Sequence, residues 1–195
     1  MSGPVGVGIV RVVNEMDYSP TVTRVERTFA FVDLSGFTTF VDVQGDEAAV
    51  SALADFRLVT REVASHHGVR VDKWLGDGAM FVSVETGPLV QAVLDIASRL
   101  GVGRFPLPLR AGIASGMVIL FEGDDYIGTP VNLASRLCSE APAGQVWVTE
   151  PVASHAENAS ECERINGLDV RGIAEPITVV ALCVPAPVAA APASF

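Results

Sequence analysis

Lysine is almost missing from this chain: Lys73 stands alone among thirteen basic residues, and the other twelve are arginine. Positive charge is scarce as a whole, 13 Lys and Arg against 23 Asp and Glu, for a net charge of −10. That balance argues against non-specific nucleic-acid binding and against attachment to an anionic membrane. Cysteine is also sparse. Cys138, Cys162 and Cys183 are odd in number, widely spaced and free of any CxxC pair, so neither a disulfide framework nor a zinc site is expected, and a reducing cytoplasm is the default compartment. The longest apolar run without a charge, Pro176 to Phe195, is interrupted by proline and rich in small alanine, a poor membrane span that reads as a flexible tail. The stretch from Met1 to Val10 has neither the basic start nor the apolar centre of a signal peptide.

What is present is apolar. Hydrophobic residues make up 49% of the 195 and charged residues only 18%, which excludes a disordered chain and suits one domain with its own core. The expected division is a lead segment over 1–26, a catalytic unit over 27–185 and an Ala/Pro-rich tail over 186–195. Alternation predicts a strand from Thr28 to Leu34. Val50, Leu53, Phe56, Val59 and Val63 recur at helical spacing within a helix from Asp46 to His67 that Gly68 ends. Val69–Leu75 and Ala79–Val84 read as a hairpin around Gly76-Asp77-Gly78. Pro88 opens a second helix with Leu89, Val93, Ile96 and Leu100 on its buried face. Leu109–Ser115 and Met117–Phe121 read as a strand pair, followed by a loop at Asp124 and a helix from Pro130 to about Ser139. Strands at Val146–Thr149, Cys162–Asn166 and Ile177–Cys183 complete the chain. The order is an α/β (α+β) chain with a ferredoxin-like βαββαβ core and a carboxy-terminal extension.

Three segments carry chemistry that packing does not need. In FVDLSGFTTF the acid Asp33 ends an apolar strand and is followed by Ser35 and Gly36, placing a carboxylate beside backbone N–H groups, where a phosphate and its metal fit together. In VDKWLGDGAMF, Asp77 lies between two glycines at a reversal; alone, Gly-Asp-Gly is ordinary turn chemistry. In DDYIGTPVNLASRL, Asn132 and Arg136 are four apart and share one helical face, a pairing that is unremarkable for either residue alone. Strand alternation puts Lys73 on the side of Val71 and Leu75, opposite Asp72 and Trp74, on an apolar face where an ammonium wants a partner.

Taken in order, VDLSGFT, KWLGDG, LRAGIASG and DYIGTPVNLASR resemble the signature blocks of class III nucleotide cyclases, over about Arg27 to Ala181. The resemblance implies a cyclase homology domain on a ferredoxin-like core. It implies two divalent cations, Mg²⁺ or Mn²⁺, held by Asp33, Asp77 and the backbone carbonyl of Leu34, with Gly36, Phe37 and Thr38 about the phosphates. Lys73 and Asp125 match the pair that reads adenine, Asn132 and Arg136 the residues that orient the ribose and stabilise charge at the α-phosphate, and Arg110 a phosphate-contacting arginine. Arg171 matches the other basic triphosphate contact more loosely. Two departures stand out: Ile127 occupies a position that is often Trp or Phe, and the short stretch from Gly116 to Asp125 resembles a short-armed bacterial adenylyl subgroup. The implied activity is conversion of ATP to cyclic AMP in a homodimer with composite sites. The alternatives are a guanylyl cyclase, against which the Lys73 and Asp125 pair speaks, and a catalytically silent ATP-binding regulatory module, whose usual mark is loss of a metal aspartate or of Arg136.

Overall fold

The apolar residues of TRVERTFAFVDL build β1 (Thr23–Leu34), an inner strand of a sheet whose two faces receive different partners. The computed structural model describes residues 23–101, 105–122, 125–156 and 161–184, the side chains of 161 and 162 excepted. The expected tail, most of the lead segment and Asp124 lie outside the described residues. After β1 come α1 (Phe37–Gln44), α2 (Asp46–His66), β2 (Arg70–Leu75), β3 (Gly78–Ser83), α3 (Thr86–Leu100) and β4 (Leu109–Phe121). The chain continues through β5 (Asp125–Ile127), α4 (Thr129–Glu140), β6 (Val146–Thr149), α5 (Glu150–Ala153), β7 (Glu161–Leu168) and β8 (Ile177–Leu182). The strand order is β2-β3-β1-β4-β6-β8-β7, with β5 on β4. Its first four strands, β2-β3-β1-β4, are the ferredoxin-like sheet of the βαββαβ core, and β6, β8 and β7 extend it past β4.

One face of β1 and β3, with Ala30, Val32, Leu34, Ala79 and Phe81, packs under α2 and α3 through Phe56, Val63, Leu89, Val93 and Ile96. The other face, with Phe29, Met80, Val82, Ala114 and Val118, packs under α4 and Tyr126. Truncating a fully buried phenylalanine here, Phe29 or Phe56, costs about 3–5 kcal/mol. Residue 33 follows Phe29 and Phe31 in the alternation, so it belongs to the α4 face. Gly112 lets α4 lie directly on β4: a Cβ there would collide with the Cys138 backbone nitrogen and the Ala134 carbonyl oxygen.

The structure departs from the expected elements at several points. Leu109–Phe121 is one strand, not a pair, because Gly116 (φ 153°) lets it bend and continue beside β1. That pairing also explains why β1 starts at Thr23. Val50 is exposed, and Ala49, Ala52 and Phe56 form the buried stripe of α2 instead. A bulge at Asp72 shifts the register, so Val71 pairs with Phe81 and Lys73 with Met80. Lys73 therefore lies on the face opposite Val71, not on the same one. The short elements α1, β5 and α5 were not expected. Cys183 is disulfide-bonded, contrary to the expectation of reduced cysteines, since spacing along a chain does not report proximity in space.

Candidate active site

β1 and the β2–β3 turn deliver their carboxylates to the same end of the sheet. Asp33 pairs in register with Gly78, and the Leu34 N–H donates to the Asp77 carbonyl at 3.3 Å. Gly76 takes φ 66° in the turn, and a Cβ at Gly78 would come within 2.6 Å of the Val32 carbonyl oxygen, so both glycines are required for this close approach. The turn is held from outside by Arg57, which donates to the Gly76 carbonyl at 3.4 Å. Arg57 and Arg61 both stack on Trp74, each 5.2 Å from the ring centroid, and Trp74 meets Phe56 edge to face.

Arg110 lies opposite Asp33 on β4 and grips it. Its Nε and Nη2 donate to one carboxylate oxygen, Oδ2, at 2.9 and 2.6 Å, while Nη1 donates to the Ser139 carbonyl near the end of α4 at 2.9 Å. Partial burial raises the Asp77 pKa above the usual carboxylate value; a backbone hydrogen bond opposes this, the Asp33 charge adds to it and the Arg110 charge offsets it. Beneath this cluster Cys138 donates to the Arg110 carbonyl, and burial, then the Asp33 charge, pushes its thiol up to about 12.

The donor set fits a hard divalent cation. Two carboxylates close enough to repel would be relieved by one, and Leu34, whose hydrocarbon side chain has no donor atom, could join them only through its main-chain carbonyl. Among the described residues no group of three or more His, Cys, Asp or Glu is arranged to hold a metal. Water or phosphate oxygens would complete the coordination, as Mg²⁺ and Mn²⁺ accept. The start of α1 adjoins these acids. Gly36 takes φ 80°, no side chain caps the helix, and its first backbone bond runs from Phe40 N–H to the Gly36 carbonyl at 3.0 Å. The N–H groups of Phe37 and Thr38 thus have no helical partner, which suits an anion.

A second group forms away from the acids. Lys73 and Asp125, 52 positions apart, meet as an ion pair with 47% and 55% of their side chains exposed. The bulge at Asp72 turns the lysine to that face, and Tyr126, edge-on to Phe29 at 5.2 Å, pins β5 over β1. Asn132 and Arg136 are exposed on α4, and their side chains make no hydrogen bond or ion pair among the described residues. Arg171 sits in the β7–β8 connection. Because β6 runs parallel to β4 and β8 antiparallel to β6, that connection is at the sheet end opposite Asp33. One chain therefore joins Asp33, Asp77 and Arg110, separately joins Lys73 and Asp125, and brings Arg171 to neither. Sequence reasoning missed the grip of Arg110 on Asp33 and the Arg57–Trp74–Arg61 stack; only the i, i+4 arginines on α2 signalled the latter.

A ferredoxin-like sheet with two acids and a free helix start at one end is the arrangement of a class III nucleotide cyclase catalytic domain. The chain belongs to that family, matching the Adenylate and Guanylate cyclase catalytic domain over residues 21–182. It is 37% identical over 116 residues to an uncharacterized protein of Mycobacterium tuberculosis, covering 60% of this chain and 30% of that one. To a pH-sensitive adenylate cyclase of Mycobacterium tuberculosis it is 34% identical over 137 residues, 70% of this chain and 34% of the relative. It spans about a third of the length of these relatives. The crystal structure of the adenylyl cyclase CyaB from P. aeruginosa shares the fold, with a TM-score of 0.72 at 24% identity over 83% of this chain and 95% of that one. Class III cyclases are generally dependent on divalent metal. No helix among the described residues is long and apolar enough to cross a membrane.

Proposed function

We propose that this chain is an adenylyl cyclase that converts ATP to 3′,5′-cyclic AMP and pyrophosphate in a homodimer, each active site being built from both subunits. The observation that carries the choice of base is the meeting of Lys73 and Asp125. Adenine offers a ring-nitrogen acceptor beside an amino donor. An ammonium has three donors and a carboxylate about four acceptor positions, so the pair keeps capacity for both after bonding to itself.

The metal residues would be Asp33, Asp77 and the Leu34 carbonyl, and a bound Mg²⁺ or Mn²⁺ pair supplies charge neutralisation of the triphosphate and acidification of the ribose 3′-hydroxyl. The Gly36–Phe37–Thr38 backbone receives phosphate oxygens. Asn132 orients the ribose, and the planar fork of Arg136 meets the α-phosphate oxygens as charge builds on them. Ring closure forms the 3′-oxygen to α-phosphorus bond, breaks the bond to pyrophosphate and releases one proton. Arg110 and Arg171 serve the phosphate chain.

The composite arrangement is supported by what a single chain leaves undone. The side chains of Asn132 and Arg136 have no hydrogen-bond or ion-pair partner among the described residues, and Arg171 is at the wrong end of the sheet for its own Asp33. Met117, Phe121 and Ile127 expose apolar surface on the paired strands β4 and β5, a face that a second copy would cover. The deciding experiment incubates purified protein with ATP or GTP and Mn²⁺ or Mg²⁺ and identifies the product. Cyclic AMP is expected. Cyclic GMP as the main product would replace this reading with the guanylyl one, and no product with either nucleotide would favour a silent nucleotide-binding module.

A further inference from the structure

Arg110 does more in this structure than wait for a phosphate. Both of its contacts to Asp33 fall on one oxygen, and its third nitrogen is tied to the Ser139 carbonyl, so the guanidinium is held in place at three points. The pair is neither sealed nor open: the side chains of Arg110 and Asp33 are 31% and 26% exposed. A cation from solvent therefore has access, yet the attraction is less screened than at a free surface. With the guanidinium in place the Asp33, Asp77 and Arg110 group carries a charge of −1 when both acids are ionised; without it the charge is −2.

We propose that Arg110 is the resident counter-ion of Asp33, occupying in the metal-free protein the place a divalent cation takes, and that cation binding frees it to engage the triphosphate. This rests on the reading of Asp33 and Asp77 as metal ligands. The exchange is one of ion pairs only: Arg110 leaves the carboxylate oxygen, a doubly charged ion replaces it, and the released guanidinium finds phosphate oxygens, which its fork fits equally well. The arginine prevents two adjacent carboxylates from standing unpaired, and it disfavours metal binding when no nucleotide is there to receive it.

The test is Mn²⁺ binding without nucleotide, followed by electron paramagnetic resonance. Arg110→Met should bind Mn²⁺ at least about tenfold more tightly than the parent, a difference of ~1.4 kcal/mol, with Arg110→Lys between the two. Asp33→Asn and Asp77→Asn should weaken binding. If those two bind as the parent does, the metal-site reading falls. If they lose binding while Arg110→Met binds no more tightly than the parent, the counter-ion proposal alone falls. A measurement on the parent avoids reliance on variants that fold poorly. The Arg110 Nε–H, assigned by its absence in Arg110→Lys, should be protected from solvent exchange in metal-free protein and lose that protection at saturating Mg²⁺; unchanged protection overturns the proposal.

Discussion

The two ends of the candidate machinery differ in how much of their chemistry is already satisfied. At the Asp33 end a carboxylate is gripped by Arg110, the turn of Asp77 is tied to Leu34 and Arg57, and the cluster is partly buried between β1, β3 and β4. On α4, Asn132 and Arg136 are exposed and unbonded among the described residues. Exposed side chains of this kind are ordinary on a surface, and the proposed function reads this planar cation and amide, one helical turn apart, as reaching for an object outside the chain. On the composite-site proposal, the contrast separates a half assembled by folding alone from a half that association with a second copy would complete.

The strongest way to break this comparison is to remove a carboxylate. Asp33→Ala or Asp77→Ala should lower the cyclisation rate by more than about a hundredfold while thermal melting shows a folded protein; substantial metal-dependent activity in either would move the site elsewhere. Next comes complementation. Asp33→Ala and Arg136→Ala are each expected to be inactive, and mixing them should restore activity, since half the dimers under random exchange are mixed and each has one intact site. Recovery should approach roughly a quarter of the parent rate for equal dimer affinities and independent sites. Heterodimers that form and stay silent would place each site within one chain.

Smaller effects sharpen the comparison. Lys73→Glu combined with Asp125→Cys should reduce the preference for ATP over GTP by about tenfold or more, since an unpaired reader penalises the base it once recognised. Selectivity equal to the parent's would remove these residues from base reading. Gly112→Ala should cost about 1–3 kcal/mol in chemical denaturation by wedging α4 off β4, and an unchanged midpoint would mean the helix yields freely. Finally, Cys138 should resist alkylation in native protein at pH 8 and react once unfolded. Burial disfavours its thiolate, so the protonated thiol's contribution to stability is present below the ordinary thiol pKa and lost as pH climbs through about 12. Fast native labelling would show that α4 lifts.

The sheet core was legible because its strands and helices carry plain periodicity: Leu89, Val93, Ile96 and Leu100 are all buried, as their spacing implies. That two acids sit at one end of the sheet was legible from the strand end that carries Asp33 and the turn that carries Asp77. Less local features were hidden. Alternation cannot foresee the bulge at Asp72, because an extra residue in one strand is decided by its partner. Gly116 looks like a reversal in the sequence and acts as a bend, since β1 continues beside it. The helix Phe37–Gln44 has only eight residues, four of them β-branched, and no side-chain cap to announce it. The Arg110 grip on Asp33 joins residues 77 positions apart and follows only from the β1–β4 register.

Gly112 has a consequence for how such a protein tolerates change over generations. Because α4 rests on β4 main chain to main chain there, the standoff of the helix is set by peptide units, which every sequence shares, rather than by the size of interdigitating side chains. Leu137, Ala134 and their neighbours can be exchanged in compensating combinations while Asn132 and Arg136 keep their height above the sheet. One glycine thereby uncouples the drift of the core from the placement of the residues that project from it.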